Sequence, residues 1–371
     1  MVRVKNFFAL TWKFFSHDMK RLVGYLITSQ LIWCFLCLRF EGHRGMLEAG
    51  NIIGIIFAVF GCITGFCAAS CFSSRKKGSF FRSVATDTDK PFVEAAASEL
   101  LKVMLSVWVT VYPTIPLSYM GFGDGMSRER LTQITVLGIC YASLYFTVGL
   151  FAGGVSGRVL PRIVVCLSYY LLSAGINYYF FALFASFFQS VSALRHPFVF
   201  NAPLMEYGVF MEMSGCTDRF IVEGVYPHPH WDHYYFVSGD QFWGMVVTAC
   251  LFFAVSLLVF IKRDESRSGD AFVFKGLGAT VTTLFAVEIH YIINTGIGSL
   301  LLRLTYSYQR FDRGIIRYLL IDIPILICVF TVASLLCTRS FKGVLKSLKL
   351  LPITAVVAYL IQFVSFWEDI F

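Results

Sequence analysis

Three groups of residues have types and spacings that could do chemistry. The run VYPHPHWDHYY sets His228, His230, Asp232 and His233 within six residues. Imidazole and carboxylate are suitable transition-metal ligands. Pro227 and Pro229 interrupt the run, which disfavours regular i, i+4 pairing of ligands on a helix. A short His-rich tract is weak evidence for a metal, and the neighbouring Trp231, Tyr234 and Tyr235 fit a loop lying on outer headgroups. The second group is Glu288, His290, Tyr291 and Asn294, inside an otherwise apolar block. At helical spacing Glu288 and Tyr291 share one face, and His290 and Asn294 share another. Ionisable residues at such depth usually face a bundle interior or a water-filled cavity and often mark a substrate path. The third is Gly154-Val155-Ser156-Gly157, a serine among small residues. As a nucleophile it would need a base within hydrogen-bond reach, and His290 is the candidate. A phosphate-cradling G-x-x-x-x-G-K-[ST] does not occur, and the dipeptide Gly-Lys is absent from the chain.

The elements that must position these residues are membrane helices. Of 371 residues, 57% are hydrophobic and 15% charged, 39 are Phe, and the mean hydropathy is +0.69. A soluble domain could not hide that much apolar surface. The composition therefore excludes a soluble enzyme, a disordered chain and a disulfide-knit secreted domain. The net charge of +8 does not argue for nucleic acid. In a membrane protein, Lys and Arg first mark cytoplasmic loops. Of the 11 cysteines, ten lie in or beside apolar blocks and only Cys216 lies in a polar loop. They read as small hydrophobes, with neither a disulfide framework nor a zinc site.

The expected fold is all-α: a polytopic helical membrane protein of nine transmembrane helices behind an N-terminal interfacial helix. The apolar blocks are 22–38, 52–72, 100–117, 134–155, 163–184, 242–261, 280–302, 319–337 and 350–367. The organisation is an amphipathic leader (1–21), helices one to five (22–188), an extracytoplasmic loop (189–241) and helices six to nine (242–371). With the N-terminus inside, the cytoplasmic segments and adjoining span ends hold all 12 lysines and 9 arginines, and the outer segments hold 10 arginines. That asymmetry has the sign expected of cytoplasmic loops. Arg303, Arg310, Arg313 and Arg317 dissent, since they fall outside. Asp322, near the outer end of the eighth span, is placed to pair with one of them. In the leader, Phe7, Phe8, Thr11, Trp12, Phe15 and Met19 recur at helical spacing, with Lys5, Lys13, His17 and Lys20 mostly elsewhere on the wheel. This pattern fits a helix lying flat on anionic lipid. The topology weakens the serine reading. Ser156 falls at a cytoplasmic span end, whereas His290 lies roughly 15 Å deep in another span at 1.5 Å rise per residue.

Three cytoplasmic stretches carry a family resemblance. SSRKKGSFFRSV, with small residues Glu94–Ser98 leading into the third span, resembles the cytoplasmic loop of permease subunits of ABC-type exporters. FIKRDESRSGDAFVFKGLG resembles the corresponding loop of a Gram-positive permease group, in which a Lys-Arg pair precedes Glu and then Gly; here these are Lys262, Arg263, Glu265 and Gly269. TRSFKGVLKSLK, before the last span, is the third match. The longer extracytoplasmic region that can follow the last span in that group has no counterpart before Phe371.

The resemblance implies a bacterial plasma-membrane permease subunit, multi-pass with a cytoplasmic N-terminus and exporting its substrate. Its partners would be a separate ABC-type ATPase that binds the ATP, a second permease subunit or a second copy of this chain, and membrane lipids. No cofactor is implied for this chain, no catalytic activity of its own, and no nucleic-acid partner. The coupling loops would be 75–95 and 262–275, with Arg75, Lys76, Lys77, Arg82, Lys262, Arg263, Glu265 and Gly269 as contact residues. Charge pattern alone reads the first of these loops as a solvated anchor of topology. Two other classes stay open. One is a membrane sensor or assembly factor without an ATPase. The other rests on the resemblance of the G-x-S-G to the serine motif of rhomboid-type intramembrane proteases.

Overall fold

The computed structural model describes residues 11–12, 15, 19–39, 56–70, 91–111, 128–172, 239–263, 270–274, 276–305 and 312–368. Helices dominate them: α1 (Met19–Arg39), α2 (Ile56–Ser70), α3 (Pro91–Val111), α4 (Arg128–Val155), α5 (Val159–Leu172), α6 (Gly239–Lys262), α7 (Leu277–Thr305), α8 (Asp312–Thr338), the short α9 (Phe341–Ser347) and α10 (Leu351–Glu368). The described part of each of the nine expected apolar blocks is helical, while 52–55, 71–72, 112–117 and 173–184 lie outside the described residues, and no strand occurs among the described residues. Three stretches are long and apolar enough to cross a membrane: Gly138–Val155, Gly244–Lys262 and Phe341–Ile361. Four shorter apolar stretches lie on α2, α5, α7 and α8.

Local sequence explains several boundaries. Pro91 opens α3, where its fixed φ suits a first helical residue, and Glu94 sits in the first turn, where a carboxylate complements the helix dipole. The helix that starts at Pro91 continues into the third apolar block without a break. At the end of α8, Arg339 takes φ +54 and its N–H donates to the Leu335 carbonyl at 2.8 Å, closing the helix in a left-handed cap. Ser340 then caps α9, its hydroxyl accepting the Gly343 N–H at 3.0 Å. A 3-10 turn, Leu348–Leu350, joins α9 to α10.

Contacts group the chain into two compact units, Met1–Gly154 with His196–Ser268, and Val155–Arg195 with Gly269–Phe371. In the first unit, α4 is the inner helix, with 83% of its apolar stretch buried, against 11% for α6. Glycines set its packing on α2. A Cβ on Gly149 would stand 2.6 Å from the Cys62 carbonyl oxygen, and one on Gly61 would meet the backbone of Ala142 and Phe146. Gly61/Gly65 on α2 and Gly149/Gly153 on α4 are small residues four apart, which let two apolar helices approach closely. The pairings run 57 with 138, 61 with 142–146, 65 with 146–150 and 69 with 153, so α2 and α4 are parallel. The Arg263 guanidinium donates to the carbonyls of Gly153 and Gly154 at 2.8 and 2.9 Å, occupying acceptors at the C-terminal end of α4.

In the second unit, Val287 of α7, Leu326 of α8 and Ala358 of α10 form a buried core. The turn after α4 is tied to the stretch before α7 by two backbone bonds, Gly157 N–H to the Asp270 carbonyl at 3.1 Å and Val273 N–H to the Val155 carbonyl at 2.9 Å. Gly276, at φ +85, turns the chain into α7.

Candidate functional site

The second unit holds a polar centre among apolar helices. On α7, His290 is fully buried, and its Nε2–H donates to Asp322 Oδ1 of α8 at 3.0 Å. Both side chains are 1% exposed. The Tyr359 ring of α10 meets the imidazole edge-on, with centroids 6.5 Å apart. Asp322 and Leu326 are one helical turn apart and both buried, so α8 presents one face that carries a carboxylate above a core leucine. The Asp322 pairing expected with an arginine of 303–317 concerns side chains outside the described residues; the described partner is His290.

Glu288 lies on a different face of α7, towards Ser168 of α5. Both carboxylate oxygens are buried; the donor facing them among the described residues is the Ser168 hydroxyl, which falls short of full hydrogen-bond geometry. A buried carboxylate with so weak a donor is costly in either protonation state. Tyr291 is partly buried, and the side chain of Asn294 lies outside the described residues. Glu288, His290 and Tyr291 thus lie on a helix packed on several sides by α5, α8 and α10, as two polar faces on one largely apolar helix require.

Sequence reasoning missed a second polar centre, in the first unit. Glu99 of α3 accepts from Lys102 Nζ at 3.0 Å and from the Tyr25 hydroxyl at 3.0 Å, and Arg21 approaches it at 3.4 Å. Lys102 is wholly buried, with its ammonium 5.9 Å from the centre of the Phe15 ring. Further along the same two helices, the hydroxyls of Ser29 and Thr110 bond at 2.6 Å. The seam joins Arg21, Tyr25 and Ser29, spaced by four, to Glu99, Lys102, Ser106 and Thr110, spaced by three and four. That spacing was the available signal. Each residue by itself reads as an ordinary span-end or mid-helix polar group, because only the parallel packing of α1 on α3 brings them together.

The remaining candidates separate. Lys262 is exposed at the end of α6, and Arg263 is engaged by the α4 carbonyls. Arg75, Lys76, Lys77, Arg82, Glu265 and Gly269 lie outside the described residues, as do His228, His230, Asp232 and His233. Of the leader, Trp12 and Phe15 stack at 5.5 Å, with Trp12 69% exposed, while the rest of its aromatic face lies outside the described residues. Ser156 is buried, and His290, its proposed base, is bonded to Asp322. Among the described residues no group of three or more His, Cys, Asp or Glu could hold a metal. No family model matches the chain, and no curated protein or solved structure matches it.

Proposed function

We propose that this chain is a nine-span membrane permease subunit that moves its substrate through the helix bundle, driven by a separate ATPase docked on its cytoplasmic loops. The observation that carries the reading is the polar centre of α7. Glu288, His290 and Asp322 are enclosed by apolar helices, where ionisable groups are expensive and usually serve a path through the membrane. Helix directions support alternation across a bilayer. In the first unit α1 runs parallel to α3, and α2 to α4; in the second, α7 runs antiparallel to α8 and parallel to α10. Three pairs separated by one apolar block run parallel, and the consecutive pair α7 and α8 runs antiparallel, as an alternating chain demands. ATP energy would have to enter through another polypeptide, because this sequence has no G-x-x-x-x-G-K-[ST] loop. The partner would meet the 75–95 and 262–275 loops, and export is the direction implied by the permease resemblance.

The test is purification of the full chain in detergent, with identification of what accompanies it. The expected companion carries a G-x-x-x-x-G-K-[ST] motif and hydrolyses ATP. Glu265→Lys and Arg82→Glu should each weaken its recovery without changing membrane insertion. Recovery unaffected by either substitution would leave those loops with topology alone. Absence of any nucleotide-binding companion would overturn the ATP-driven reading.

A further inference from the structure

The α8–α9 turn and the start of the last helix have a surface that neither the transport path nor the coupling loops use. Arg339, Lys342, Lys346 and Lys349 are all exposed, and none of them forms an ion pair with a described residue. The sequence has no acidic residue between Asp322 and Glu368, so nothing nearby in the chain offsets the four charges. Lys342, Lys346 and Lys349 recur at i, i+4 and i+7 and share one helical face.

The adjacent face is apolar and uncovered. Phe341 is 78% exposed and Leu345 67%, four residues apart. The third face holds the helix in place. Val344 is buried, and the Ser347 hydroxyl donates to that of Ser334 on α8 at 2.9 Å. The basic and apolar edges are therefore fixed side by side and both point away from the protein. The apolar edge continues into α10, where Ile353, Val356 and Leu360 are each more than half exposed. Phe341–Ile361 is one of the three stretches able to cross a membrane, and only 17% of it is buried.

We infer that this surface is a binding site for an anionic phospholipid of the cytoplasmic leaflet. The phosphate is held by Arg339 and the Lys342, Lys346 and Lys349 row, and an acyl chain lies along Phe341, Leu345 and the exposed ridge of α10. Charge selects the ligand: four cations without a carboxylate favour a phosphodiester of net negative charge over a zwitterionic headgroup. Continuity selects lipid over a soluble anion, because the ridge that follows the lysines is long enough to enter the hydrocarbon. Lys side chains at such a position keep their stems on apolar surface and their heads in the headgroup layer. The inference rests on the last helix crossing a membrane and is independent of transport.

The experiment measures lipid retained by the full chain in detergent, by native mass spectrometry, with dioleoylphosphatidylglycerol or dioleoylphosphatidylcholine added. The wild-type chain should retain the anionic lipid over the zwitterionic one by about tenfold or more, and the preference should shrink as salt rises. Lys342→Gln, Lys346→Gln and Lys349→Gln combined should abolish the preference, and the three Lys→Arg changes should keep it. Lys346→Gln alone should reduce it in part, which keeps the test available if the triple variant does not fold. Equal retention of the two lipids by wild type, or an intact preference after the glutamine changes, would overturn the assignment. Displacement of the lipid by millimolar inorganic phosphate would also overturn it, because it would make the site one for a free anion.

Discussion

The His290–Asp322 pair offers the sharpest test of how the second unit is held together. The perturbation is a double-mutant cycle of His290→Ala, Asp322→Ala and the combination. The contact is 3.0 Å and each side chain is 1% exposed, so neither partner can turn to water when the other is removed. In a soluble protein, breaking such a buried pair costs about 3–5 kcal/mol. A membrane protein has a different reference, since its unfolded helices stay in the bilayer and find other partners; couplings there average about 0.6 kcal/mol and reach about 1.7. Complete burial and good distance place this pair at the upper end, with an expected coupling of about 1–1.7 kcal/mol. Each single substitution should cost more than that, about 2–4 kcal/mol, because it also leaves the remaining partner buried without its bond. Asp322→Asn serves as a control. It keeps the shape and an oxygen that accepts from Nε2–H, so it should cost well under half as much as Asp322→Ala. The assay is reversible unfolding in mixed micelles titrated with a denaturing detergent. A coupling below about 0.3 kcal/mol would refute the reasoning, because neighbouring residues in a hydrogen-bonded pair normally exceed that threshold. An Asn variant as damaging as the Ala variant would show that net charge, rather than hydrogen-bond geometry, carries the interaction.

Two further outcomes follow from the first unit. Gly149→Ala should destabilise by about 1–3 kcal/mol, because its Cβ would sit 2.6 Å from the Cys62 carbonyl oxygen, whereas Gly24→Ala, with nothing within 4 Å, should be neutral or slightly stabilising in thermal unfolding. Glu99→Gln should lower stability by about 3 kcal/mol or more, because it strips the carboxylate from a wholly buried Lys102, while Tyr25→Phe, which removes one hydroxyl bond, should cost about 1 kcal/mol. Equal effects of the two changes in the same unfolding assay would mean that Glu99 is not the hub of the cluster.

The sequence by itself settled the helical class and the position of the apolar blocks, because bilayer thickness imposes a length and an apolarity that a linear chain displays directly. A helix start such as Pro91 of α3 is likewise a local property, because the fixed φ of proline needs no tertiary partner. The sequence also singled out Glu288 and His290 as unusual, since charge within an apolar block is visible one residue at a time. What it could not supply was the pairing. His290 joins Asp322 because α7 and α8 run antiparallel at one particular register, and the lysine at position 102 is buried against Glu99, Tyr25 and Arg21 because α1 and α3 lie side by side in parallel. Both depend on which helix faces which, and that choice is made by close-packed side chains and glycine contacts such as Gly149 on Cys62, whose energies appear only when two distant segments meet. The exposed basic and apolar edges of α9 divide in the same way. The lysine spacing is in the sequence, but only the Ser334–Ser347 bond and the burial of Val344 decide which side of the helix is turned outward.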